Sequence, residues 1–211
     1  YKRTMETALS AHWNNFFSSL ALAEKTAAEQ CEIIADELEK QKKFAMAMVY
    51  RGFAHEEVGH YNLVRELIKG ELQITDRARA VYQGALFSKN PTVVERMAVV
   101  HLAFEPSALA FLGHLYVHAD QYFPSEFSEK VKHSFGVIVK EEVNHIYSGK
   151  DMVLQLLEES PPQTKKDVQK SLRRHKAFLS LGIKSFFGNS QETADFVEAM
   201  QSNYHARFFN L

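Results

Sequence analysis

MAMVYRGFAHEEVGHYNLVREL, residues 46–67, decides how this chain folds. Steps of three and four residues along it pick out Met46, Val49, Phe53, Glu57, His60, Val64 and Leu67. That is an apolar stripe at helical period, with one carboxylate and one imidazole set into it. A helix turns by about 100° per residue, so Glu57 and His60 lie one above the other on the same face. A second stretch repeats the pattern: Val131, Phe135, Ile138, Glu142, His145, Met152 and Leu156 follow the same walk, passing Ser148 or Gly149. Glu56-Glu57-Val58-Gly59-His60 thus has a near copy in Glu141-Glu142-Val143-Asn144-His145. One Glu-x-x-His is a weak signal, since both residue types are common on solvated helices. Two copies, each interrupting a face built for burial, are a stronger one, because a buried carboxylate must find a cation or give up its charge.

Outward from these two stretches the chain reads as helices, with no convincing strand. A first helix over about residues 4–38 leads through Glu39-Lys40-Gln41-Lys42-Lys43 into the second, which ends near Gly70. A short helix is expected from about Asp76 to Phe87, followed by a loop at Ser88-Lys89-Asn90-Pro91. Thr92 and Glu95 make a capping-box signature for a third long helix, which breaks at Tyr122-Phe123-Pro124-Ser125. A fourth runs from about Glu126 to Glu159 and stops at Pro161-Pro162. Two more, about 166–187 and 191–209, are separated by Gly188-Asn189-Ser190. The fold class is all-α, one domain over residues 1–211, with a metal-binding bundle at about 4–159 and accessory helices at about 166–209.

Antiparallel helix pairs put residues equidistant from the connecting turn at one height. The Pro124 break therefore calls for a partner to Glu142 near residue 106, and Glu105 is there, on the walk Val94, Ala98, His101, Glu105, Ala108, Leu112, Tyr116. The turn at Lys40 to Lys43 calls for a partner to Glu57 near residue 25. Glu24 answers it, on the stripe Trp13, Phe17, Leu20, Glu24, Ala27, Cys31, Ile34. Glu29 and Glu32 fall on the wetter side and are reserve candidates only.

Composition narrows the chemistry. The 211 residues suffice for a sizeable core, and 45% apolar with 24% charged residues is globular usage. A formal net charge of −1 gives no field to recruit nucleic acid or an anionic membrane. The single cysteine, Cys31, excludes an internal disulfide and every cysteine-based zinc or rubredoxin site, so a metal here takes nitrogen and oxygen ligands. No unbroken apolar run approaches the roughly 20 residues of a membrane span, and no secretory leader is visible. A cytoplasmic protein is the expectation.

Four carboxylates and two imidazoles on facing helices, Glu24, Glu57, His60, Glu105, Glu142 and His145, resemble the ligand set of the ferritin-like di-iron carboxylate superfamily. The resemblance covers about residues 10–155 and fills all six motif positions. It implies a ferritin-like four-helix bundle with additional C-terminal helices, holding two iron ions, with di-manganese or mixed manganese–iron loading as variants. It also implies a role for Glu56 and Glu141, each placed to hold the opposite motif's histidine by hydrogen bond. The activity implied is that of a non-haem di-iron oxygenase or oxidase, taking dioxygen, a small substrate and an electron donor, as a monomer or small homo-oligomer. Iron storage or ferroxidase function, of the mini-ferritin or rubrerythrin type, is the alternative. Two full Glu-x-x-His motifs and the missing cysteine pairs weigh against it.

Other features are weaker. His55 and His60 superficially resemble a zinc-protease pair, but they are five apart and diverge around the helix. His101, one turn before Glu105, is a candidate seventh ligand or outer group, and its plainer role is that of a satisfied core residue. Pro106 should distort the third helix at the ligand. Phe53, Phe135 and Ile138, one turn from the ligands, are candidates for an apolar substrate wall among Phe16, Phe17, Phe104 and Phe111, whose plainer role is core packing. Lys165, Lys166, Lys170, Arg173, Arg174 and Lys176 read as a solvated helix face.

Overall fold

A computed structural model describes the backbone of residues 2–74 and 90–187, and the side chains of 13–74 and 90–175. The expected helices at 76–87 and 191–209 lie outside the described residues. Among the described residues the regular structure is entirely helical. It comprises α1 (Lys2–Lys40), α2 (Phe44–Glu66), α3 (Val93–Tyr122), α4 (Ser125–Glu158) and α5 (Pro162–Phe187). Helix α1 packs along α2 and α3 along α4; α2 then meets α4, and α5 lies against the first half of α3.

The α1–α2 turn has neither glycine nor proline, and is shorter than the five polar residues suggested. Lys42 takes a left-handed backbone, φ 61°, and Lys43 N–H bonds back to the Leu38 carbonyl at 2.9 Å. Such a conformation costs an ordinary side chain about 1–2 kcal/mol, offset here by the helix-end bonds it makes possible. Outside, Arg51 of α2 reaches Asp36 at 2.8 Å and Glu32 and Glu39 of α1, a solvent-exposed network that fixes register more than it adds stability.

Helix α3 is capped by Thr92, whose hydroxyl accepts the Glu95 N–H at 3.2 Å. It runs α-helical over Val93–Val99, widens to a π-helical turn over Val100–Phe104, and resumes at Glu105–Tyr122. The cause is Pro106, which has no N–H and whose ring would strike the carbonyl four residues back. The wider turn, with Glu105 N–H bonding to the Val100 carbonyl, absorbs the misfit. It also shifts the buried face beyond it to Ser107, Phe111, Leu112, Leu115 and Ala119, so that Leu112 lies in the core as expected whereas Tyr116, expected on the same stripe, is 43% exposed. On α2, likewise, Tyr50 takes the core position expected of Val49, which is 41% exposed.

The interior is two apolar clusters. One gathers Trp13, Phe16, Phe17 and Leu20 with Val64, Phe111, Leu115, Phe135 and Ile138. The other gathers Cys31, Ile34 and Leu38 with Tyr50, Phe53, Met97, Leu102, Val153 and Leu156, and extends to Val168 and Leu172 of α5. The opposite face of α5, with Lys165, Lys166, Lys170 and Arg173, is exposed as a solvated face should be. No single apolar run of spanning length is needed for α3 to reach a mean hydropathy of 1.3 over one window, which makes it long and apolar enough to cross a membrane. This qualifies the sequence expectation. Some 56% of that window is buried within the protein, and packing in both clusters accounts for its apolar character.

Phe17 is the aromatic hub of the first cluster, with ring centroids 5.3 Å from Phe16, 6.0 Å from Trp13 and Phe123, and 6.1 Å from Phe135. Phe17→Ala is expected to lower unfolding stability by about 3–5 kcal/mol, read from urea melts of the metal-free protein.

Candidate metal centre

Between the two apolar clusters lies one polar layer. Each helix of the two pairs enters it with an acid: Glu24 from α1, Glu57 from α2, Glu105 from α3 and Glu142 from α4, all essentially buried, with His60 and His145 completing it. Buried Ala21 and Cys31 flank Glu24 on α1, and buried Ala54 and Val64 flank Glu57 on α2, one turn before and two turns after each acid. The side chains form two overlapping groups able to hold a metal ion: Glu24, Glu57, His60 and Glu142, and Glu57, Glu105, Glu142 and His145, with ligand atoms within 4.8 Å of one another in each. Glu57 and Glu142 belong to both.

Both histidines turn Nδ1 into the layer. His60 Nδ1 stands 3.4 Å from Glu57 Oε2, 3.4 Å from Glu142 Oε1 and 4.0 Å from Glu24 Oε2. His145 Nδ1 stands 3.1 Å from Glu57 Oε1, 3.7 Å from Glu142 Oε2 and 3.8 Å from Glu105 Oε1. Their outer nitrogens point the other way. His60 Nε2 donates to Glu141 at 2.9 Å, and His145 Nε2 donates to Glu56 at 2.6 Å. Since a carboxylate only accepts, the outer Nε2 keeps its proton, so the inward Nδ1 is the atom whose proton an arriving ion displaces. Glu56 and Glu141 therefore sit where the sequence places them, holding the opposite motif's histidine, and remain about half exposed.

The residues fit divalent metal. Glu24 Oε1, Glu57 Oε2, His60 Nδ1, Glu105 Oε1 and Glu142 Oε2 are buried with no hydrogen-bond partner, and all belong to this layer. Buried polar atoms are normally satisfied. Five orphans converging on one layer are what ligand atoms look like without their ions.

Without metal the charge problem is met with protons. Burial first, then repulsion from Glu57 and Glu142, holds Glu24 well above the usual carboxylate range. Burial does the same for Glu105 against the pull of His145, and pushes Glu142 up to about 8 with help from Glu57. Glu57 is the exception: burial would raise it, but the hydrogen bond from His145 and the close imidazole of His60 outweigh that and hold it at about 2. Burial likewise opposes the charge on the imidazoles. It is overcome at His60, raised to about 12 by the close carboxylates of Glu142 and Glu57, and at His145, raised to about 10 by Glu57, Glu105 and Glu142.

The remaining sequence candidates fall into place around this layer. Glu29 and Glu32 are exposed, with Glu32 engaged by Arg51. Glu95 is buried but lies outside both groups, accepting from Ser171 Oγ at 2.6 Å. His101 also stands outside both groups and donates from Nδ1 to Glu105 Oε2 at 2.5 Å, an outer partner to that acid. Phe53 packs on the His145 ring at 4.4 Å, whereas Phe135 and Ile138 are fully buried in the first cluster. Two features had no clear sequence signal. Tyr50 is wholly buried with its hydroxyl unpartnered, edge-on to His101 at 5.2 Å, and Gly149 lies against the His101 ring. No protein-family model, curated protein or solved structure significantly matches the chain.

Two outcomes are expected. The metal-free layer carries protons on Glu24, Glu105, Glu142, His60 and His145 that bound ions must displace, so the free protein binds more protons than the loaded one. Ferrous affinity should accordingly rise with pH through neutrality, with net proton release visible when calorimetric heats are compared across buffers of different ionisation enthalpy. Second, Glu24→Gln should cut bound iron sharply while leaving the metal-free protein at least as heat-stable, because it removes a buried acid. Glu29→Gln and Glu32→Gln should retain full iron; loss of iron in these two instead would mean that α1 presents a different face.

Proposed function

We propose that this chain is a non-haem di-iron oxidoreductase built on a ferritin-like four-helix bundle, activating dioxygen to oxidise a small, apolar substrate. The observation that carries the reading is the pair of overlapping buried groups sharing Glu57 and Glu142. Four carboxylates balance two divalent ions, and one imidazole per ion completes an oxygen-rich set suited to iron or manganese. Glu57 and Glu142, which belong to both groups, would be shared between the ions; Glu24 with His60, and Glu105 with His145, would serve one ion each. Two ferrous ions would supply dioxygen with electrons at one place, the chemistry that no protein side chain offers alone.

The chain's own residues do the rest. Glu56 and Glu141 hold the imidazoles with Nδ1 turned inward and, being half exposed, link each buried ring to solvent through one carboxylate. Phe53 over His145 and the apolar clusters above and below keep water from the layer, which strengthens every charge interaction inside it. These apolar surroundings are what supports an apolar substrate in this reading.

Reconstituted without oxygen, the protein should bind two ferrous ions per chain and consume dioxygen in proportion to them, then stop until a reductant is added, as a monomer or small oligomer. Stopped-flow absorbance with iron titrated past two equivalents, alongside light scattering, measures both. Continued oxidation of dozens of ferrous ions per chain in a shell-sized particle would put iron storage in place of oxygenase chemistry.

A further inference from the structure

The two halves of the centre are built alike but furnished differently. Four residues before Glu24 on α1 stands Leu20; four before Glu105 on α3 stands His101. Four residues past His60 on α2 stands Val64; four past His145 on α4 stands Gly149. Leu20 and Val64 belong to the same apolar cluster. At the corresponding place in the other half the packing is a ring against a bare backbone. A Cβ on Gly149 would lie 2.1 Å from His101 Cγ, 2.4 Å from Cδ2 and 2.5 Å from Nδ1, so no larger residue leaves the imidazole where it is.

Three further features hold that ring in place. The π-helical turn Val100–Phe104 carries it and ends at Glu105. Tyr50 and Phe53 meet it edge-on, with centroids at 5.2 and 5.5 Å. Its Nδ1–H is bonded to Glu105 Oε2, while Glu105 Oε1 is left unpartnered in the layer, 3.8 Å from His145 Nδ1. One oxygen of this acid is tied back so that the other is aimed. No imidazole backs Glu24, which has Leu20 in that place.

Resting on the two-ion reading, we propose that the two metal positions are unequal: His101, seated in the slot that Gly149 leaves open, is a positioning residue that makes the Glu57–Glu105–Glu142–His145 position fill first and bind tighter than the Glu24–Glu57–His60–Glu142 position. The physical reason is preorganisation. A carboxylate already oriented by a fixed donor loses less freedom when the ion arrives, and outer-shell partners of this kind govern ligand geometry and affinity.

Anaerobic titration of the metal-free chain with ferrous iron, followed by calorimetry and equilibrium dialysis, tests this. The wild type should show a tighter and a weaker step. His101→Leu, which copies the residue found in the other half, should weaken the tighter step roughly 10–100-fold and leave the weaker one unchanged. His101→Gln keeps an N–H donor and should recover part of the loss. Gly149→Ala retains the imidazole but evicts it, and should behave like His101→Leu. A role in packing alone would predict no recovery with Gln and no selectivity between steps. The proposal is overturned by an unchanged tighter step in His101→Leu or Gly149→Ala, or by equal weakening of both steps. Should His101→Leu fail to fold, the Gln and Ala variants decide. A wild type that binds fewer than two ions would instead overturn the two-ion reading beneath it.

Discussion

The structure depends on one constraint: four carboxylates have been taken out of water and stacked in a single layer where, among the described residues, no lysine or arginine is buried with them. In a medium of low dielectric such a layer cannot stay charged unaided. Protons or metal ions must neutralise it, and the two solutions are mutually exclusive at each ligand atom. The rest of the architecture serves this layer. The apolar clusters above and below it supply the stability that the layer itself withholds, and the half-exposed Glu56 and Glu141 orient imidazoles that would otherwise be free to turn over.

How much of this the amino-acid sequence discloses depends on the kind of information each residue carries. Glu24, Glu57, Glu105 and Glu142 are legible because a charged residue on an apolar stripe breaks a pattern, and because equal distance from a turn fixes height along antiparallel helices. Those two rules separate Glu24 from Glu29 and Glu32, which are exposed. They carry less far where the helix is irregular. Pro106 signals a distortion but not its form, and a π-helical turn rotates everything beyond it, which is why Tyr116 lies outside the core. The slot at Gly149 is less legible still: glycine there could have marked a weak point in a helix or nothing, and only the approach of a ring from another helix gives it meaning.

The helix irregularity and the polar layer are adjacent. An uninterrupted α-helix through residues 100–106 would leave the proline ring in collision with the carbonyl four residues back. By widening one turn, the chain relieves that collision while the imidazole of His101 and the acid of Glu105 stay side by side. The departure from regular geometry in α3 thus falls directly beside the polar centre. Such local departures from ideal geometry are common beside functional groups.

Helix α5 has a bearing on how this chain could be reduced. Counting helices from the sequence makes it an appendage to a self-sufficient bundle. Yet Ser171 is bonded to buried Glu95, Val168 and Leu172 complete the second apolar cluster, and His175, kept neutral by burial, stands beside Phe104 on the π-helical turn. A minimal scaffold ending at the Pro161-Pro162 junction would uncover that cluster and strip the outer support from the turn that aims Glu105. Designers seeking a smaller bundle from this template would therefore have to rewrite the outward surface of α3 first, with polar residues in place of the contacts α5 now covers.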